Sequence, residues 1–238
     1  MQATSLESAL RQFQAEARPR GRAGEPDLAV CLPAYLSDYA GLERVGELAP
    51  AHVWEFLLEW APSALGLEAA EHVALTRRMR AFVDWLAGAA GIETLAGLAD
   101  RLRALERDLG RCHQLVERFA VAREAEELSR PVTGVSEADE APVAVLSGGA
   151  QRLVDLTRVD YAAAEADYFR VSRVEGQSAF LYTPERRQLG EADLGPVRLP
   201  AGAAELLRPD DILKLEVAPA ASGWEILDVE SVRPGGYE

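Results

Sequence analysis

LAGLADRLRALERDLGRCHQLVERF, residues 95–119, is the stretch on which the reading of this chain turns. Apolar side chains fall at Leu95, Leu98, Leu102, Leu105, Leu109, Cys112, Val116 and Phe119, with gaps alternating between three and four. That rhythm is the narrow seam of a long helix lying lengthwise on its neighbours. Arg103, Arg107, Arg111 and Arg118 stand off the seam. One helix therefore offers a greasy edge to the fold and a row of guanidinium groups on its other side.

Working upstream, Ser5 can cap a first helix carrying Leu6, Leu10 and Phe13, and ARPRGRAGEPD (17–27) breaks it with prolines and glycines. From Leu32, the residues Tyr35, Leu36, Tyr39 and Leu42 share a helical face. Pro50 opens a helix bearing Val53, Trp54, Phe56, Leu57, Leu58 and Trp60, which Pro62 is expected to close. That helix is apolar nearly all round, the mark of a buried centre. Glu68 to Leu86 then sets Val73, Leu75, Met79, Phe82, Val83 and Leu86 on one face; Gly88 and Gly91 end it, and Thr94 can cap the seam helix. Short connections between such helices predict an antiparallel bundle.

Downstream the texture changes. SRPVTGVSEADEAP (129–142) is polar, acidic and bracketed by prolines, an inter-domain linker by composition. Short strand-like runs follow at 143–146, 152–156, 168–174, 178–182, 195–200, 212–217 and 224–232, with a brief helix expected over 161–167. In ILKLEV (212–217), Leu213, Leu215 and Val217 alternate with Lys214 and Glu216. The fold class expected is α+β: a helical bundle over residues 1–128, an acidic linker over 129–142, and a small β-barrel of the OB or SH3-like kind over 143–238.

The chain of 238 residues is 48% hydrophobic and 27% charged, a globular balance, with a net charge of −14. Residues 131–238 carry 10 basic against 19 acidic side chains. Such acidity argues against a general binder of phosphate backbones, although a local basic patch can still act. No apolar run reaches the roughly 18 residues of a membrane span, and the N-terminus has no basic-then-apolar leader, so the expected location is cytoplasmic and no membrane partner is expected. Cys31 and Cys112 are too few for a disulfide framework.

Motifs of chemistry are sparse. There is no GxGxxG, no GxxxxGK[ST] and no HExxH. Cys112 and His113 are neighbours in sequence, but adjacent helical residues diverge by about 100° and do not form a dyad. His52 and His72 have no ligand-spaced partner. No catalytic residue and no cofactor is assigned. Asp210 and Asp211, with Glu205 and Asp228, are the carboxylates that a hard divalent cation would use, and a turn accounts for them as well. Tyr182, Trp224 and Tyr237 are candidates for a binding rim at the barrel ends.

YLSDYAGL (35–42), VGELAPAHVWEFL (45–57) and LTRRMRAFVDWLAGAAGI (75–92) resemble the SAM-like core-binding domain of tyrosine recombinases. The resemblance implies a helical domain that grips DNA. It covers about a quarter of the chain and does not extend to the recombinase catalytic domain, since no histidine here is followed by x-x-Arg.

The function expected is a non-catalytic adaptor or regulatory binding protein working through protein contacts, with its oligomeric state open. The first alternative is a nucleic-acid-associated protein using Arg103, Arg107, Arg111 and Arg118, with Arg77, Arg78 and Arg80 in support. The second is a metal-assisted enzyme centred on Asp210 and Asp211.

Overall fold

The computed structural model describes residues 5–17, 26–89, 92, 95–129 and 159–237. The arginines at 18, 20 and 22, the Thr94 cap, the segment 130–142 and the runs at 143–146 and 152–156 lie outside them. Two compact units are formed, Met1–His113 with Arg233–Glu238, and Gln114–Val232.

In the first unit, α1 (Leu6–Ala17) starts where the Ser5 hydroxyl accepts the Ser8 N–H at 3.2 Å. Leu6, Ala9, Leu10 and Phe13 are buried along one face. Helix α2 (Leu28–Pro33) starts earlier than Leu32 because Asp27 caps it, its carboxylate taking the Ala29 N–H. It runs on as a π-helical turn, Ala34–Tyr39. Tyr35 and Leu36 are buried as expected, but Tyr39 stands 61% exposed. A π turn spends more residues per rotation, so Tyr39 lags behind the face that a 3.6-residue period assigns to it.

Helix α3 (Pro50–Glu55), a second π turn (Phe56–Trp60) and α4 (Ala61–Leu65) follow one another without a gap. Pro62 does not close this helix, which ends at Gly66 in the left-handed conformation, φ +58°. The π turn is what accommodates the proline. Ala61 N–H bonds to Phe56 O, five residues back, and in that register the next carbonyl, Leu57 O, would look to residue 62, which has no N–H to give.

The two long helices, α5 (Ala69–Ala89) and α6 (Leu98–Ser129), follow. Leu75, Met79, Phe82, Val83 and Leu86 of α5 are fully buried, as are Leu102 and Leu105 of α6. The α6 seam holds through Cys112 and then shifts by one residue: Leu115 is buried and Val116 only half so. Phe119 is buried again, so the seam departs from its pattern by one position at Leu115 and then resumes.

The second unit holds a closed barrel of five strands: β1 (Glu165–Glu175), β2 (Ser178–Tyr182), β3 (Leu194–Arg198), β4 (Ile212–Ala220) and β5 (Gly223–Arg233). Their order is β1-β2-β3-β5-β4. Strand β1 is antiparallel to β2 and β4, β2 is antiparallel to β3, and β3 runs parallel to β5 with Val197 opposite Trp224. This is the five-stranded Greek-key order of the OB kind, and the chain is α+β. Phe169, Val171, Ala179, Leu181, Val197, Leu213, Leu215 and Val217 fill the interior.

Two glycines permit close approaches. A Cβ on Gly223 would lie 2.3 Å from Pro196 O, and one on Gly195 would lie 2.8 Å from the Phe180 ring. The expected helix over 161–167 is a single 3-10 turn, Tyr161–Ala163, after which β1 begins. A short helix, α7 (Pro184–Gln188), was not expected from the sequence. Its signal was present all the same, in Thr183 as N-cap and Pro184 at the first helical position. Among the described residues no helix is long and apolar enough to cross a membrane.

Candidate functional site

The four arginines of α6 occupy different settings. Arg103 pairs with Asp100 at 2.9 Å and is 58% exposed. Arg107 is exposed. Arg111 is only 10% exposed and lies 3.7 Å from Asp108. In the second unit Arg118 is exposed, and its guanidinium packs against the backbone at Gly202, 3.3 Å from where a Cβ would stand. On α5, Arg77 and Arg80 both reach Glu106, at 3.5 and 2.5 Å, and Arg78 donates to Pro26 O at 2.7 Å. Most of these cations are answered by acids or carbonyls of the same unit.

The structure joins two histidines that the sequence kept apart. His72 Nδ1 lies 3.1 Å from His113 Nε2, with the rings perpendicular. His72 Nε2 lies 2.7 Å from Leu57 O. A carbonyl can only accept, so Nε2 of His72 carries the proton, its Nδ1 is the acceptor, and His113 Nε2–H donates to it. The Leu57 carbonyl deprived of a partner by Pro62 is thus satisfied from α5, and His113 on α6 steadies the ring that does it. His72 is buried, and burial above all pushes its pKa down to about 4, with the neighbouring His113 lowering it further against the Leu57 bond. Nothing in the spacing of 41 residues announces this pair; a proline inside an apolar helix was the clue to the orphan carbonyl.

Asp210 and Asp211 sit at the turn before β4. Asp211 is buried and its carboxylate accepts the Arg208 N–H at 2.8 Å, while Asp210, at φ +66°, accepts the Tyr182 hydroxyl at 3.3 Å. Backbone bonds from Asp210 N to Val171 O and from Val171 N to Asp211 O tie the turn to β1. Among the described residues no three His, Cys, Asp or Glu side chains converge as metal ligands.

On the barrel, arginines lie over aromatic rings: Arg173 over Phe180 at 3.5 Å and Arg187 over Tyr182 at 3.3 Å from the ring centroids. The same arginines meet Glu175 and Asp193. Phe180 and Tyr182 thus each have one face covered by a guanidinium group of the barrel itself, whereas Tyr161 and Tyr168 stand 49% and 44% exposed. Tyr182 is buried under Arg187, and Tyr237 is not on the barrel at all, since its ring meets Trp54 in the helical unit.

The second unit also carries a groove with a cavity of about 290 Å³. Its apolar surface comes from Val116 and Phe119 of α6, Leu199 after β3, and Ile226 and Val229 of β5. Two ion pairs lie at this groove, Arg123 with Asp228 at 2.5 Å and Arg198 with Glu225 at 3.7 Å. Apolar and charged side chains thus share its lining.

No protein-family model, no curated protein and no solved structure matches this chain.

Proposed function

We propose that this chain is a non-catalytic adaptor or regulatory binding protein of the cytoplasm that acts through protein contacts, and that the α6–β3–β5 groove is where it does so. The groove carries the proposal: its floor is apolar and its rim charges are paired with one another. Such a surface suits a protein segment that inserts an apolar side chain between groups of both signs, and it suits a polyphosphate poorly. Neither cysteine is in a disulfide, in keeping with a reducing compartment.

The nucleic-acid reading draws on the OB order of the strands and on exposed Arg107 and Arg118. The acid partners of the other arginines weigh against it. The metal-assisted reading gains no support from Asp210 and Asp211, whose carboxylates accept from the Tyr182 hydroxyl and the Arg208 N–H.

A photo-crosslinking amino acid at exposed Ala120 in the groove, compared with one at Gln188, tests the proposal in the native host. Trapping of a protein at Ala120 alone is the expected outcome. Labelled oligonucleotides are titrated in parallel at low and physiological salt. Salt-sensitive binding lost on Arg107→Ala/Arg118→Ala, with nothing trapped at Ala120, would replace the protein-contact reading with the nucleic-acid one.

A further inference from the structure

Residues 233–237 form part of the helical unit, and they are held as a ligand is held. Arg233 Nη1 meets Glu59 Oε1 at 2.6 Å. Pro234 is buried. Arg101 donates from Nη2 to the Gly236 carbonyl at 2.9 Å. The Tyr237 hydroxyl donates to Asp108 Oδ2 at 3.0 Å, and its ring packs edge-on against Trp54 with centroids 5.3 Å apart. Arg101 itself lies over the Trp54 ring at 4.8 Å. An aromatic slot, a carboxylate for a hydroxyl, a guanidinium for a backbone carbonyl and a second carboxylate for a basic side chain thus face one short segment that bends at Gly235 and Gly236.

We infer that Trp54, Glu59, Arg101 and Asp108 form a recognition site for a protein segment bearing a basic residue and, four positions later, a tyrosine, and that residues 233–237 are its built-in occupant. This rests on the reading that the chain works through protein contacts, and it names a second contact surface with the chemistry of its partner. Charge complementarity fixes that chemistry, because each charged group of the site answers one polar group of the seated segment.

The built-in occupant fits imperfectly. Trp54 is 4% exposed, and its indole Nε1 has no hydrogen-bond partner among the described residues. A buried donor left unsatisfied penalises the state that leaves it so. A partner segment that adds an acceptor there binds better than the chain's own, which is what displacement requires. The intramolecular segment competes at the high effective concentration of a tethered ligand, so it acts as a threshold against weak or mismatched segments. Gly236, at φ +82°, lets the backbone turn its carbonyl toward Arg101 while the next residue enters the slot.

The test uses the full chain carrying Tyr237→Ala, which empties the aromatic slot, and a dye-labelled peptide of sequence VRPGGYE followed by anisotropy. The peptide should bind this variant at least about tenfold more tightly than it binds the wild type, whose own tyrosine holds the slot. Replacing the peptide's tyrosine by phenylalanine should weaken binding about tenfold, the share of a hydrogen bond to a charged acceptor. Tyr237→Phe, which keeps the ring, provides a second variant of intermediate affinity, and far-UV circular dichroism confirms that both variants fold. Equal binding to wild type and Tyr237→Ala, or no binding to a folded Tyr237→Ala chain, overturns the inference. Wild-type dimers that disappear in Tyr237→Ala would show that the segment seats in a second copy, and would overturn its intramolecular assignment. Crosslinking at Ala120 is decided separately, so failure here leaves the groove reading intact.

Discussion

The carbonyl of Leu57 accepts a hydrogen bond from the His72 imidazole at 2.7 Å, across 15 residues of chain. A helix that runs through a proline must find a donor for the carbonyl the proline abandons, and here a histidine from the next long helix provides it. His72→Phe keeps most of the volume and removes that donor. It should destabilise the protein by about 2–3 kcal/mol, the cost of a buried carbonyl and of the stranded His113 N–H. Pro62→Ala returns a backbone N–H to the same carbonyl, so the His72→Phe penalty should shrink by about 1 kcal/mol in that background. Urea denaturation of the four proteins closes the cycle, and strict additivity would show that the two sites do not share the carbonyl.

The same imidazole sets a pH dependence whose sign is fixed. Its folded pKa, about 4, lies below the ordinary value of 6.5. Above pH 6.5 the ring is neutral whether the chain is folded or not, and its contribution to stability is complete. Between 6.5 and 4 the unfolded chain takes up a proton that the folded chain refuses. Stability should therefore fall by about 3 kcal/mol as pH drops through this window. Thermal melts from pH 7 to pH 4 measure the loss, and the His72→Phe protein should have a shallower profile there.

Two arginines about two turns apart on α6 should differ in what their removal costs. Arg103 is 58% exposed and Arg103→Ala should change stability by no more than about 0.5 kcal/mol. Arg111 is 10% exposed beside Asp108, and Arg111→Ala removes buried stem and charge together. It should cost about 1–3 kcal/mol in denaturant unfolding, with Asp108 left short of a counter-charge. Equal effects at the two positions would contradict the inward placement of Arg111.

Glycine substitutions separate tight contacts from spare conformational freedom. Gly223→Ala places a methyl group 2.3 Å from Pro196 O in a backbone with φ +133°, and should destabilise the barrel by more than about 2 kcal/mol. Gly110 lies inside α6 with nothing within 4 Å of the Cβ position. Gly110→Ala should stabilise the protein by about 0.5–1 kcal/mol. Differential scanning calorimetry of both variants resolves opposite shifts in Tm.

Local periodicity carried much of the architecture. The burial of Leu98, Leu102, Leu105, Leu109 and Cys112 follows from spacing alone, and so does the inward set of Leu213, Leu215 and Val217. The two π turns escaped, because a change in residues per turn leaves no mark in an apolar run; it moved Tyr39 outward and carried the helix past Pro62. Pairing across long separations also escaped. His72 meets His113, and Tyr237 meets Trp54 and Asp108, through contacts that only the assembled helices create. The arginine row was legible as a pattern, but its acid partners, which decide how much positive charge it presents, were not.

The closed order of the barrel bears on how this chain can meet others. Sheets with open margins recruit foreign chains by continuing their ladder of main-chain hydrogen bonds, a mode that takes almost any sequence and that also feeds aggregation. Five strands closed in the order β1-β2-β3-β5-β4 leave little such margin among the described residues. A partner of the barrel would therefore meet mainly side chains on its outer faces, a mode that selects by sequence more than by extended shape.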